Sequence, residues 1–131
     1  MSQFGVQYHG PSNRKSSGNG KLKIKSRDKK RHEVGGYFIA TRLGEANVIK
    51  KVRTRGGREK DKLKNAGYAN LLVDGSYKKV KIKGVIESKD NRNFARLNII
   101  TKGTVIDTEL GRAIVINRPG KEGFINAKLV K

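Results

Sequence analysis

The sequence predicts an all-β protein: a small closed or nearly closed antiparallel barrel of about six strands, preceded by a basic, extended N-terminal arm. Three observations carry this reading. From residue 37 onward, short runs rich in Ile and Val are separated by turn residues such as Asp74-Gly75, Leu110-Gly111 and Arg118-Pro119-Gly120, at the spacing of small antiparallel sheets. No stretch of this region carries a convincing long helix. The chain has 131 residues, of which 34% are hydrophobic, enough for one modest core, and closure into a barrel removes the exposed strand edges such a core would leave.

Residues 1–36 are Gly, Ser, Asn and Lys/Arg with few large apolar side chains, so they bury too little surface to offset the entropy of ordering. They are expected to be an arm that orders on binding. Arg14, Lys15, Lys21, Lys23, Lys25, Arg27, Lys29, Lys30 and Arg31 face only Asp28 and Glu33 there, and such like charges extend a chain.

Residues 37–131 form the barrel domain. Residues 47–53 read as its first strand, with Val48 and Val52 on one face and Ile49, Lys51 and Arg53 on the other. Residues 59–65 place Glu59 and Asp61 ahead of Lys62 and Lys64, which suits either a short helix or a basic loop. Residues 68–73 and 77–86 flank Asp74-Gly75, a dipeptide that supplies the positive φ angles of a tight hairpin. In the second strand of that hairpin Val80 and Ile82 alternate with Lys79, Lys81 and Lys83, and Gly84 is expected to bend or bulge it. Residues 104–109, 112–117 and 124–130 complete a meander. The inward set is expected to be Val48, Val80, Ile82, Val105, Ile114, Ile116, Ile125 and Leu129, so that Ile116→Ala is expected to cost about 2 to 5 kcal/mol. Tyr37, Phe38, Tyr68, Tyr77, Phe94 and Phe124 are expected mostly at core positions.

Charge sets the class of partner. Lys and Arg number 31 and Asp and Glu 11, a net charge of +20. A compact domain with that excess repels itself, and a polyanion whose phosphates accept the basic side chains and release counterions is the natural complement. Cysteine is absent, which excludes a disulfide framework and a thiolate zinc site and fits a reducing compartment, with the cytoplasm as default. No apolar run approaches the roughly 18 residues of a membrane span, and Met1-Ser2-Gln3-Phe4-Gly5 lacks the order of a signal peptide. A soluble protein that is not exported is expected. A membrane-surface helix would need bulky apolar residues opposite its lysines, yet aromatic residues make up 6% of the chain and Trp is absent,.

Little here suits catalysis. Both histidines lie in the arm, and His32-Glu33 begins like a zincin motif but meets Gly36 where the second histidine belongs. Asp107 and Glu109 share a strand face without a third metal ligand beside them, which leaves them a solvent-facing stripe. Gly18-Asn19-Gly20 and Arg55-Gly56-Gly57 lead into neither Lys-Ser nor Lys-Thr and so are not phosphate-binding loops of the nucleotide-hydrolase kind. No enzyme activity, cofactor, metal or small-molecule substrate is expected. His32 reads as a phosphate or base contact.

Residues 50–64 differ from the rest, because Lys50, Lys51, Arg53, Arg55, Arg58, Lys60, Lys62 and Lys64 gather around Thr54 and the pair Gly56-Gly57. Glycine lets backbone approach a phosphate, and arginine presents a planar fork that binds it at two points, so this loop is the candidate backbone clamp. With few aromatic side chains outside expected core positions, recognition by shape and backbone is favoured over the reading of single-stranded bases.

At these residues the chain resembles the archaeal form of a small-subunit ribosomal protein family shared by archaea and eukaryotes, number eight in the eukaryotic series. The stretches that carry the resemblance are Val52-Arg53-Thr54-Arg55-Gly56-Gly57, Asn91-Arg92-Asn93-Phe94, Ile99-Ile100-Thr101-Lys102-Gly103, Glu109-Leu110-Gly111 and Arg118-Pro119-Gly120 followed by Asn126-Ala127. They stand in family order and span most of residues 47–130. An N-terminal signature is recognisable at residues 14–18 and 27–35, with Ser17, Asn19, Asp28 and Val34 departing from it. The resemblance implies a structural protein of the small ribosomal subunit, cytoplasmic and within the ribosome, that binds ribosomal RNA and abuts neighbouring ribosomal proteins. Arg92, Arg96, Lys102 and Arg118 thereby join the arm and the loop as candidate RNA contacts. A related nucleolar family makes an assembly factor the alternative, and charge alone would also permit a DNA-compacting protein.

Overall fold

The computed structural model describes residues 14–24, 27, 30, 32 and 35–130. The chain divides into two units, residues 1–38 and 39–131. In the first, residues 14–23 double back on themselves. Lys15 pairs antiparallel with Leu22, the Ser16 N–H donates to the Lys21 carbonyl at 2.8 Å, and the Lys23 N–H donates to the Arg14 carbonyl at 3.0 Å. The reversal runs through Gly18 at φ 99° and Gly20 at φ 67°, with Asn19 Oδ1 accepting from the Lys21 N–H at 3.0 Å. The arm expected to be extended thus contains a local hairpin, because this turn chemistry lets the backbone bond to itself without a core. Lys25, Lys29 and Arg31 lie outside the described residues.

The second unit contains, among the described residues, the strands β1 (Thr41–Leu43), β2 (Val48–Arg53), β3 (Glu59–Ala66), β4 (Tyr68–Val73), β5 (Ser76–Glu87), β6 (Ile99–Ile100), β7 (Val105–Thr108), β8 (Gly111–Val115) and β9 (Asn126–Leu129), with short helices α1 (Arg92–Arg96) and α2 (Pro119–Glu122). β4-β5-β7-β8-β9 close into a barrel, and β2-β3-β1-β6 form a separate four-stranded sheet. The all-β expectation holds, with five strands in the barrel itself. Its seam is the parallel pairing of β4 with β9, where Asn70 stands opposite Asn126 and Leu71 opposite Ala127.

Local chemistry explains the barrel's course. β4 and β5 are joined at Asp74 (φ 48°) and Gly75 (φ 83°), with Val73 paired to Ser76. Two positive φ angles give a turn whose twist matches that of the strands. β5 then slips register between Ile82 and Gly84 and again between Val85 and Glu87 as it pairs with β7, the bends that carry one 12-residue strand around the barrel wall,. Leu71, Val80, Ile82, Ile106, Ala113, Val115, Ile125 and Ala127 fill the interior, and Leu63, Ala66 and Ile100 of the other sheet join the same cluster. The chain passes from the sheet to the barrel between β3 and β4 through a single residue, Gly67. A Cβ at Gly67 would run into the Glu45 carbonyl, and Asn47 Oδ1 accepts from the N–H groups of Gly67 (2.8 Å) and Tyr68 (3.1 Å).

Several expectations need correction. Residues 59–66 are neither helix nor loop but β3, which lies between β2 and β1 and bonds to both. Pairing on two edges outweighs the weak helical charge spacing. β1 and β6 were not legible, being three and two residues long. Val80, Ile82 and Ile125 are buried as expected, and Leu129 packs half-buried against the core. Val105 and Ile114, half-buried cross-strand partners, and Ile116 occupy the opposite face from buried Ile106, Ala113 and Val115. Aliphatic residues occur on both faces of β7 and β8, so alternation leaves the parity open, and a slip of one residue exchanges inside and outside. Val48 likewise is exposed, at 45%. None of the six aromatics expected mostly in the core is buried: Tyr37, Phe38, Tyr77 and Phe124 are exposed, and Tyr68 and Phe94 are half-buried.

Two stability measurements check this core. Ile125→Ala should lower the unfolding free energy by about 2 to 5 kcal/mol, whereas Ile116→Ala, at a side chain 47% exposed, should cost less than about 1 kcal/mol; urea titration would compare them. A fragment of residues 39–131 should show the same cooperative unfolding as the full chain, because every residue of the main buried cluster belongs to it.

Candidate nucleic-acid interface

The basic segment from Lys50 to Lys64 is a β-hairpin, and pairing sorts its charges by face. Residues directly opposite one another share a face. One face carries Ile49 opposite Leu63, Lys51 opposite Asp61 and Arg53 opposite Glu59, and Lys51 Nζ lies 3.7 Å from Glu59 Oε2. Acids and bases balance there. The other face carries Lys50 opposite Lys62 and Val52 opposite Lys60, with Lys64 following by alternation, and it has no acid.

The balanced face is the one that meets the core at the base of the hairpin, through Leu63, while Ile49, Lys51, Arg53, Glu59 and Asp61 on it stay exposed. Leu63 on it is fully buried in the core cluster, and a Cβ at Gly123, just after α2, would come within 3.0 Å of the Asp61 Cβ. The acid-free face is thereby turned away from the core, with Lys50, Lys60 and Lys64 exposed and Lys62 and Val52 half-buried. Lys50 directly opposite Lys62 is a repulsive cross-strand pair, and a bound anion would relieve it.

The tip closes tightly. The Thr54 N–H and hydroxyl both donate to the Arg58 carbonyl, at 2.6 and 2.9 Å. Between them Gly56 (φ 78°) and Gly57 (φ 75°) turn the chain, and a Cβ on either would meet nothing within 4 Å. The tip backbone therefore borders open space flanked by the exposed Arg53, Arg55 and Arg58. Thr54 closes the turn with the hydroxyl that sequence reasoning gave to RNA.

The other candidates are dispersed. Arg14, Lys15, Lys21 and Lys23 gather on the small hairpin of the first unit, all exposed, and Arg27, Lys30 and His32 are exposed beyond it. Arg92 and Arg96 are exposed on α1, whose start is capped by Asn91 Oδ1 accepting from the Asn93 N–H at 2.9 Å. Lys102 is exposed in the turn before β7, and Arg118 is exposed at the start of α2. Sequence reasoning noted the cationic row Lys79, Lys81 and Lys83 but gave it no site; all three are exposed. It also missed the exposure of Tyr77 and Phe124. Asp107 stands opposite Arg112 across β7 and β8, and among the described residues no three His, Asp or Glu side chains gather as metal ligands would. Among the same residues no helix is long and apolar enough to cross a membrane.

The family described as "Ribosomal protein S8e" matches residues 8–130. The chain belongs to this family. Curated relatives named "Small ribosomal subunit protein eS8" include those of Hyperthermus butylicus, 43% identical over 95% of this chain and 92% of that protein, and Sulfolobus acidocaldarius, 44% identical over 95% and 97%. That of Saccharolobus islandicus is 44% identical over 95% of this chain and 93% of its own length. Much of the family-like sequence turns out to build the scaffold. Ile99 and Ile100 are buried in β6, and Thr101 and Thr104 join hydroxyl to hydroxyl at 3.0 Å beneath the Lys102-Gly103 turn. Pro119 is buried, and a Cβ at Gly120 would press on the Ile39 carbonyl at 3.1 Å.

The contact between the hairpin and the 118–123 turn can be tested directly. Gly123 combines φ 82° with the close approach to Asp61, so Gly123→Ala should destabilise the protein by about 1 to 3 kcal/mol. Thermal unfolding would measure the loss, and an unchanged midpoint would mean the hairpin does not rest on this turn.

Proposed function

We propose that the chain is a structural component of the small ribosomal subunit, grips ribosomal RNA through phosphates and catalyses no reaction. The observation that carries this reading is the sorting of charge on the β2–β3 hairpin: a neutralised face toward the core, and Lys50, Lys60, Lys62 and Lys64 together on the face turned away. Arg55 and Arg58 beside the open glycine turn extend this surface, and the basic residues of the first unit supply a second. Its relatives are named as small-subunit proteins, which fits a place in the ribosome among neighbouring ribosomal proteins. The contacts proposed are positioning contacts, which hold a protein on folded RNA without reading its sequence.

Salt dependence separates such contacts from a merely solvated hairpin. Lys60→Ala and Lys64→Ala should each weaken binding to structured ribosomal RNA and reduce the slope of log affinity against log salt by about one unit or a little less. Arg53→Ala should change the slope less, because Glu59 stands opposite it. Equal and negligible effects of all three would remove the hairpin from the interface. Retention on mature small subunits after a high-salt wash is expected, and presence on precursors alone would favour the assembly-factor role.

A further inference from the structure

The outer wall of the barrel carries a second surface of different chemistry. On adjacent strands β5, β4 and β9, inward residues alternate with outward Tyr77, Lys79 and Lys81, then Tyr68, Asn70 and Leu72, then Asn126 and Lys128. Phe124 precedes β9 with the same parity. Tyr77 is 63% and Phe124 44% exposed, and together with Asn70 and Asn126 they line an open recess of about 340 Å³. Asn70 Nδ2 donates to Asn126 Oδ1 at 3.2 Å across the barrel seam, so the pair retains a carbonyl oxygen on Asn70 and an amino group on Asn126 for an outside partner.

The recess is held from behind. Asn117 Nδ2 donates to the Phe124 carbonyl at 2.8 Å and to Glu122 Oε2 at 3.0 Å, and its Oδ1 accepts from the Asn126 N–H at 2.9 Å. The Asn70 N–H donates to the Ile125 carbonyl at 2.9 Å. The backbone at Phe124, Asn126 and Asn70 is thus held in place, and the two amides are bonded to each other, before anything binds. Around them stand Lys79, opposite Asn70 and 4.8 Å over the Tyr68 ring, and Lys128, opposite Leu72. Where these strands border the recess, at residues 77–81, 68–72 and 126–128, no carboxylate stands on this outer face; the nearby Glu122 is engaged by Asn117.

We propose that this recess takes one unpaired nucleotide of RNA. Its base would stack on Tyr77 or Phe124, its polar edge would meet the Asn70–Asn126 pair, and its phosphates would lie against Lys79 and Lys128. Each part of a nucleotide has its complement: aromatic faces for the base, a donor and an acceptor for its edge, and lysines for the flanking charge. A protein partner would need acidic groups for the lysines and would leave the amides to chance. The inference rests on the RNA-binding reading above, but it adds a base contact to a protein otherwise expected to hold only backbone.

The test uses the full chain and two probes: a single-stranded hexaadenylate carrying one 2-aminopurine, and a fully paired 12-base-pair RNA duplex. Binding should quench the 2-aminopurine. Tyr77→Ala and Phe124→Ala should each weaken the hexamer by about tenfold to a hundredfold and reduce the quenching, while duplex affinity changes less than about twofold. Tyr77→Phe, which keeps the ring, should retain both. Hexamer affinity unaffected by the alanine changes would leave the recess to a protein neighbour and overturn the proposal, with the RNA reading intact if Lys60→Ala still weakens the duplex. Equal weakening of hexamer and duplex would also overturn it, by showing a general loss of binding. Failure of the unaltered chain to bind either probe at low salt would overturn both readings.

Discussion

Closure of the barrel constrains everything on its wall. Once Leu71, Val80, Ile82, Ile125 and Ala127 point inward, the pleat sends Asn70, Tyr77, Lys79, Lys81, Asn126 and Lys128 outward. The parallel seam between β4 and β9 then puts Asn70 and Asn126 side by side, although 56 residues separate them in the chain. The outer face is thus the complement of the core, and a register slip of one residue would destroy both together.

The same economy governs the hairpin. β2 and β3 are among the most charged stretches of the chain, yet the face they bring to the core and the 118–123 turn, through Leu63 and Asp61, is the one whose charges are balanced. Packing the acid-free face there would bury several lysine charges without partners, at a cost of several kcal/mol for each. Burying Leu63 on one side therefore commits the lysines to the other. Hydrophobic packing orients the hairpin, and that orientation concentrates its positive charge where a polyanion can reach it.

The two proposed surfaces differ in physical character. Lysines on the hairpin act as point charges whose effect is screened by salt. Aromatic rings and amides in the recess act at short range and depend on placement, which is why the Asn117 bonds that hold the backbone at Phe124 and Asn126 matter. Several of the family-like stretches, Ile99-Ile100-Thr101 and Pro119-Gly120 among them, build the scaffold on which both surfaces rest.

The sequence by itself determined the all-β class, the Asp74-Gly75 hairpin, the bend near Gly84 and the cationic character of the chain. These follow from turn chemistry, period-two patterning and composition, which act over a few residues. It also located the Arg53–Gly57 tip and the family. Tertiary structure alone decided which face of β7 and β8 is inside, because Val105, Ile106, Ile114, Val115 and Ile116 are all aliphatic and only partner strands distinguish them. It likewise decided that residues 59–66 form a strand, since their own charge spacing carries no period-two apolar pattern and the strand is set by pairing with β2 along one edge and, at Asn65 and Ala66, with β1 on the other. And it decided that Tyr77 and Phe124 face outward: an aromatic side chain carries no local signal of its exposure, which is fixed only when the strands close around a core that has no room for it.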